Sequence, residues 1–524
     1  MRHQYATPWI WIFLLPLAVD YKATDANTGH FAQFILVLPA IAAGLALLLI
    51  APRFHERARL RSLVTLSIML CIFGSIVTQL IQGNDVGNYL RTLLPFVLFM
   101  LGYLVACRPW SEYRITQFEK ALYVANVISL VFTFGYGMAT GGGLEDVRYR
   151  IISVTLLGLQ AVLLHEFVVA RRYSFSTIMV FGATIVVSLL SVTRSLLVGT
   201  VLLFLLAMAL SAPTMRHAWR ALARSFVIGA LLAGMAGIAA LSFPSVAEHW
   251  TQRIFASEET ASGKDPTTIT RLAEMRDQYD QVTADAGTLL FGAGYGHYYR
   301  YSPAYLPDLA GQFSKKDFYA INEWAAGHNF WVYQLFAGGL VFGIALPLAT
   351  LVALGICCLS YRYWRAVVPD APLLPVLGRA IMLFAALPAT SIGGNPLGPR
   401  FSGLVFGIAL GLMIATHARL QRALPTARAR RFPRRPRAPL TPHAAQPAPP
   451  FAIPDLPSRI EPGSGRADLA STLGLSSTIA RSAAHTSAHG STPTAPRPAG
   501  ASQFGALAPR RSPAQRSNGP DNAR

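Results

Sequence analysis

The sequence predicts an all-α polytopic membrane protein with about twelve transmembrane helices. Of its 524 residues, 53% are hydrophobic and only 13% are charged, whereas soluble domains usually carry about 25% charged residues. Apolar runs long enough to cross a hydrocarbon core of about 30 Å also recur along the chain. We therefore expect a helical protein embedded in a membrane.

The predicted spans form two groups separated by one long polar loop. They are residues 8–20, 31–51, 62–82, 90–107, 121–138, 151–170, 175–193, 195–211, 226–243, 340–360, 373–390 and 400–416. Because a single helix over Phe175–Ala212 would measure about 57 Å, we predict that this run folds back at Arg194. The first span is short and contains Pro16, and we interpret it as a retained anchor rather than a signal peptide.

This pattern divides the chain into four regions. Residues 1–243 carry the first nine spans, 244–339 the polar loop with the candidate site, 340–416 the last three spans, and 417–524 a basic tail. The tail is rich in Pro, Ala, Ser and Arg and has few bulky apolar residues, so we predict that it is disordered. Much of the formal charge of +20 lies there, so the charge does not indicate nucleic-acid binding.

Lysine and arginine in the short loops predict the orientation. Fifteen of these residues fall on one side of the predicted membrane and six on the other. Positive residues are enriched on the cytoplasmic side, so we expect both termini in the cytoplasm and the long loop outside it. The spans are nearly free of charge, except for Glu166 beside His165.

His328 is the main candidate for chemistry, because it closes the polar loop at the point where the chain re-enters the membrane. A neutral imidazole suits the removal of a proton from a hydroxyl group. Asn329 beside it offers a donor and an acceptor, and Glu323 is a candidate to orient the ring. Gly338-Gly339 separates Asn329–Ala337 from the next span, which predicts a short interfacial helix. An interfacial histidine that only bonds the loop backbone is the alternative.

Arginines are the candidates for binding phosphate. Arg194, in the predicted turn between two spans, can grip a phosphate with two parallel hydrogen bonds, although a turn residue reaching for water is the alternative. Arg271 lies in a predicted amphipathic loop helix, in which Arg276 is the residue expected to face solvent. Four further arginines at outer ends of spans are secondary candidates, each of which could instead be structural: Arg91, Arg148, Arg150 and Arg400.

The Gly-x-Gly-x-Gly pattern at residues 292–296 does not indicate a nucleotide site. No predicted strand precedes it and no βαβ unit surrounds it. We interpret it as a turn in which the missing side chains allow close backbone packing. The four cysteines lie in or beside apolar runs, so we predict neither a disulfide nor a zinc site in the loop.

Together these pieces resemble the O-antigen ligase and polymerase superfamily of bacterial envelope glycosyltransferases. The resemblance covers residues 190–360 and rests on the order of four pieces: Ser191-Val192-Thr193-Arg194-Ser195, then Arg271, then the glycine turn after Leu289, then His328-Asn329 followed by Gly338-Gly339. The family usually has Ser-Arg-Gly where this chain has Thr193-Arg194-Ser195.

The resemblance implies a twelve-span fold similar to the C-type glycosyltransferases, with the active site in a periplasmic loop of an inner-membrane protein. It implies an undecaprenyl-diphosphate-linked glycan as donor, a lipid A-core or growing glycan as acceptor, membrane lipids as surroundings, and no metal or cofactor. By position, His328 would be the base or the acceptor-orienting residue, and Arg194 and Arg271 would bind the diphosphate.

Three functions stay open at the level of sequence. The short earlier loop Met138–Arg150 favours a ligase, because polymerases of this family often carry two large periplasmic loops. A polymerase is the alternative, and Arg271 and Gly287 fit a spacing associated with polymerases. A flippase for the same lipid-linked glycan is less favoured, because transporters usually place charges and broken helices at the midplane.

Overall fold

The computed structural model describes residues 6–21, 30–54, 57–141, 144–212, 244–255, 265–309 and 313–431, with isolated positions at 219, 229, 234, 237 and 263. Within these residues the regular structure is helical, and one antiparallel bridge joins Tyr299 to Glu323. The predicted all-α class is confirmed.

The first group of helices precedes the polar loop. They are α1 (Ala6–Ala18), α2 (His30–Ile50), α3 (Arg59–Gln82), α4 (Val86–Ala106), α5 (Glu112–Ala139), α6 (Leu144–Arg150), α7 (Leu156–Leu164) with a π-helical end (His165–Ala170), α8 (Phe175–Leu190) and α9 (Arg194–Ser211). The loop contains α10 (Pro244–Ile254), α11 (Pro266–Val282), α12 (Ala286–Phe291), a 3₁₀ turn (Pro303–Tyr305), α13 (Leu306–Leu309) and α14 (Lys315–Ala320). After it come α15 (Phe330–Gly338), a π turn (Gly339–Gly343), α16 (Ala345–Val367), α17 (Leu374–Thr390) and α18 (Ser402–Arg431).

Six helices in the described part of the chain are long and apolar enough to cross a membrane: Arg59–Gln82, Val86–Ala106, Glu112–Ala139, Arg194–Ser211, Ala345–Val367 and Ser402–Ala423. Six shorter apolar segments accompany them: Ala6–Ala18, Ile35–Ile50, Leu156–Ala170, Phe175–Leu190, Phe330–Gly343 and Leu374–Thr390. Each predicted span except the ninth overlaps a helix, and the ninth, 226–243, lies outside the described residues apart from three positions. The protein is therefore an all-α membrane protein.

Helix α18 is the most buried of the six long apolar helices and packs along α4. Gly403, Gly407 and Gly411 recur every four residues on α18, and a Cβ at any of them would collide with α4, for example with the carbonyls of Pro95 and Phe99. Small residues at this spacing allow two membrane helices to approach closely. The helix also continues to Arg431, beyond residue 417, where we expected the tail to begin. The rest of the predicted tail, from residue 432, lies outside the described residues.

The expectation of nearly charge-free spans is wrong at one place. The Arg379 guanidinium on α17 donates to both carboxylate oxygens of Glu119 on α5, at 2.9 and 2.8 Å, and to Glu166 Oε1 at 3.2 Å. Glu166 Oε1 also lies 3.2 Å from His165 Nδ1. Paired charges of this kind are tolerated inside a membrane protein, and here they connect three helices.

The glycine turn after α12 holds α15 in place. Gly292, Gly294 and Gly296 all have positive φ, and a Cβ at Gly292 would collide with the carbonyl of Ala337. The closeness allows the amides of Ala293 and Gly294 to donate to α15 carbonyls, at 2.8 and 3.1 Å. The expectation of close backbone packing is confirmed, and the turn fixes the helix that follows His328.

We expect Gly339→Ala to destabilise the protein. Gly339 has φ 62° and ψ −165°, a conformation open essentially to glycine, and an added Cβ would collide with the Leu290 carbonyl. Strain of this kind costs about 1–3 kcal/mol, so thermal unfolding of the purified protein in detergent should begin at a lower temperature. Gly355→Ala in α16 is the control, because nothing lies within 4 Å of its Cβ position. Equal melting temperatures for both variants would contradict the expected backbone strain at Gly339.

Candidate active site

The loop helix α11 carries the polar face of the site. Asp265 caps its N-terminus, with Oδ2 accepting from the Thr268 amide at 3.0 Å, and Pro266 provides the first turn. Ile269, Ala273 and Val282 are buried on the packed side. The predicted amphipathic helix is confirmed, and Arg276 lies on its solvent side, paired with Asp280.

Arg194 contacts this helix at its N-cap residue, Asp265. It is the first residue of α9, directly after the break at residues 191–193, so the predicted interruption of this run at Arg194 is confirmed. Its Nη2 donates to Asp265 Oδ1 at 2.7 Å. Burial opposes ionisation of Asp265, but the hydrogen bonds from Arg194 and Thr268 outweigh it and lower the pKa of the carboxyl. Asp265 thus caps α11 and binds Arg194 at once.

Arg271 lies within electrostatic range of the same groups. Burial lowers the pKa of Arg271, and so does the positive charge of Arg194, whereas Glu274 and Asp265 act to raise it. The guanidinium stays protonated all the same. Two arginines on different helices, α9 and α11, therefore share one electrostatic environment, as required of groups that would bind a single diphosphate.

His328 is held by a carboxylate from α11. Glu274 Oε2 lies 2.6 Å from His328 Nδ1, and Glu274 Oε1 accepts from the His328 backbone amide at 2.7 Å. The Glu274 side chain is 2% exposed and the His328 side chain 58% exposed. Gln278 donates to Glu274 at 3.3 Å. A carboxylate at Nδ1 keeps the proton on that nitrogen and leaves Nε2 as the proton acceptor.

We expect Glu274→Gln to lower turnover by about 10²- to 10⁴-fold, the range typical of groups that support acid–base catalysis. The amide keeps the shape of the side chain but loses the charge that stabilises an imidazolium. Glu274 positions His328, so the effect should fall on kcat and leave KM for the donor unchanged, and Glu274→Asp should recover part of the rate. Gln281→Ala, on the same helix, is the control. A loss confined to KM, or no recovery by Asp, would contradict this role.

Gly327 allows the backbone to reach Glu274. A Cβ at this position would lie 2.5 Å from Glu274 Oε1 and in collision with Gln278 Nε2. We expect Gly327→Ala to push His328 off its carboxylate and to lower any activity that depends on this imidazole at least about tenfold, since misplacement by about 1 Å costs up to about 10². Gly394→Ala, whose Cβ position is open, should keep the wild-type activity. Full activity of the Gly327 variant would contradict the geometry.

The two other loop candidates have backbone roles. Asn329 is the N-cap of α15, and its Oδ1 accepts from the Trp331 and Val332 amides at 3.0 and 3.1 Å. Glu323 is exposed and forms the bridge to Tyr299 through its backbone. The carboxylate that bonds His328 is Glu274, not Glu323. The predicted short helix before the Gly-Gly pair is confirmed as α15.

The secondary arginines have separate local partners. Arg148 is buried and donates to the Tyr149 hydroxyl at 2.8 Å, and Tyr149 in turn acts electrostatically on Arg271, which places α6 near the site. Arg91 lies over the Trp324 ring at 5.7 Å. Arg150 donates to the Gly141 carbonyl at 2.8 Å, and Arg400 lies 3.5 Å from Asp20. Arg148 is thus connected to Arg271 only indirectly, through Tyr149.

Sequence reasoning missed Glu274, although a signal was present. Arg271, Glu274 and Gln278 follow one another at helical spacings of three and four, so they share one face of α11. In the described part of the chain no group of three His, Cys, Asp or Glu residues is placed to hold a metal ion.

Comparison with known proteins does not assign the chain to a family. No protein-family model matches it, and no curated protein is similar to it. The case for function therefore depends on the site: an accessible imidazole bonded to Glu274, which also acts electrostatically on Arg271, and Arg194 from a second helix acting on Arg271 as well.

Proposed function

We propose that the protein is a membrane glycosyltransferase of the O-antigen ligase type. It moves a glycan from undecaprenyl diphosphate to a hydroxyl group of lipid A-core. The observation that supports this most is the hydrogen bond between the exposed His328 imidazole and Glu274, a carboxylate that also acts electrostatically on Arg271, as Arg194 does. We propose about twelve spans, cytoplasmic termini and a periplasmic site in the bacterial inner membrane.

The chemistry requires only positioning, positive charge and one proton acceptor. Nε2 of His328 takes the proton from the acceptor hydroxyl as its oxygen bonds to the sugar C1. The bond from C1 to the phosphate oxygen breaks, and the diphosphate leaves with the electron pair. Arg194 and Arg271 stabilise the charge that develops on it. Glu274 stabilises the imidazolium until the proton passes to water.

A polymerase that extends the lipid-linked chain uses the same chemistry with a different acceptor. The transporter alternative is weakened by the pairing of Arg379 with Glu119 and Glu166, because these charges satisfy one another and connect helices. The loop site, in contrast, contains an accessible side chain that can act as a base, His328.

A reconstituted assay separates the three functions. Purified full-length protein in vesicles receives undecaprenyl-diphosphate glycan and lipid A-core. Glycan on lipid A-core identifies a ligase, and longer lipid-linked chains identify a polymerase. Movement of intact donor between leaflets without bond cleavage would reject the enzymatic proposal.

A further inference from the structure

A second basic site lies at the other end of the bundle from His328. A cavity of about 340 Å³ is lined by the end of the π-helical segment at Val169, the end of α9 at Leu210, and the last turns of α16. Arg194 begins α9 and Leu210 lies near its end, so at about 1.5 Å per residue the two are separated by about 24 Å. The cavity is therefore distinct from the candidate active site.

The charges on its wall all have the same sign. Among the residues that the structure describes, Arg171, Arg362 and Arg365 line the cavity, and no Asp or Glu does. Arg365 is fixed from two sides, because its guanidinium donates to the carbonyls of Leu210 at 3.0 Å and Val169 at 3.1 Å. Arg171 and Arg362 are exposed. Guanidinium groups match phosphate oxygens in geometry as well as charge.

Arg171 has a backbone conformation unusual for its residue type. Its φ is 57°, in the left-handed region that favours glycine or asparagine. The next residue, Arg172, donates its amide to the Glu166 carbonyl at 2.8 Å and does not line the cavity. As the C-cap residue of the π-helical segment, Arg171 thus turns the chain so that it, and not Arg172, lies at the cavity.

We propose that this cavity binds the phosphate of an anionic phospholipid. A general excess of positive charge at one membrane face accounts for scattered arginines, but not for three that two separate segments bring to one cavity, with no acid among its described lining residues. The apolar side chains of Val169, Leu210 and Ala366 adjoin the arginines, which suits a charged head group attached to acyl chains. Free phosphate shares the chemistry but would make no use of this apolar wall.

The test compares two pairs of variants of the full-length purified protein. Arg171→Asn combined with Arg362→Gln removes the two exposed charges and leaves Arg365, which fixes the wall, in place. Arg172→Gln combined with Arg59→Gln removes two exposed arginines that do not line the cavity. Binding of phosphatidylglycerol and phosphatidylcholine is titrated by native mass spectrometry, with inorganic phosphate as a separate competitor.

We expect the cavity variant to bind phosphatidylglycerol about 25-fold more weakly than wild type, or about fivefold for each arginine lost. The control variant should bind like wild type, and phosphatidylcholine should bind weakly to all three proteins. An equal loss of phosphatidylglycerol affinity in both variants, or no loss in the cavity variant, would refute the proposed binding site. Competition by inorganic phosphate at concentrations similar to the lipid would overturn the lipid as occupant. Because His328 is not involved, neither outcome depends on the proposed glycan transfer.

Discussion

Replacing His328 with alanine should abolish surface glycan attachment while leaving the protein in the membrane. Loss of a general base typically slows a reaction by about 10²- to 10⁴-fold, which in cells is a complete loss of the product. The side chain is 58% exposed and its removal leaves no cavity in the core, so the fold should persist. The measurement is the envelope polysaccharide profile of a strain that carries only the variant.

The form of the accumulated intermediate identifies the reaction. Undecaprenyl-linked polymer with bare lipid A-core indicates a ligase, and accumulated single repeat units indicate a polymerase. His249→Ala is the control, because His249 lies on loop helix α10, and its Nδ1 is 3.1 Å from Gln252 in an exposed contact. A normal profile from the His328 variant at wild-type protein levels would refute its catalytic role.

Replacing Arg194 or Arg271 with alanine should weaken donor binding and also slow the release of diphosphate. A hydrogen bond to a charged group contributes about 1.5–3 kcal/mol, so each variant should lose about 10- to 150-fold in kcat/KM. Lysine at either position should recover only part of this, because an ammonium cannot form the paired bonds of a guanidinium. Kinetics with purified donor and acceptor measure the effect.

The two arginines should not behave independently. Both interact electrostatically with Asp265. The free-energy loss in kcat/KM of the double variant should therefore be smaller than the sum of the losses of the two single variants. Arg276→Ala is the matched control, since Arg276 lies on the same helix as Arg271 but pairs with Asp280 in solvent. Additive losses, or an Arg276 effect of equal size, would contradict a shared diphosphate site.

Local signals in the sequence predicted the parts of the site well. The length of the apolar run Phe175–Ala212 required a break, which its one charged residue, Arg194, placed; the glycines at 292–296 indicated close packing, and the Gly-Gly pair marked the end of a short helix. Each of these features depends on a few neighbouring residues. Local chemistry is therefore enough to place them.

Contacts between residues far apart in the sequence could not be predicted from such local signals. Glu274 and His328 are 54 positions apart, and Arg379 and Glu119 are 260 apart, so their pairing depends on how helices pack. The N-cap role of Asn329, in contrast, is a local feature: an asparagine directly before an apolar helix is a common N-cap, and its Oδ1 caps α15.

The most direct test compares wild-type and His328→Ala proteins in vesicles that contain donor, acceptor and no other enzyme. The wild type should release one undecaprenyl diphosphate for each glycan transferred, whereas the variant should bind the donor with similar affinity and release none. Release by the variant at the wild-type rate would show that the imidazole is not the proton acceptor and would contradict the proposed chemistry.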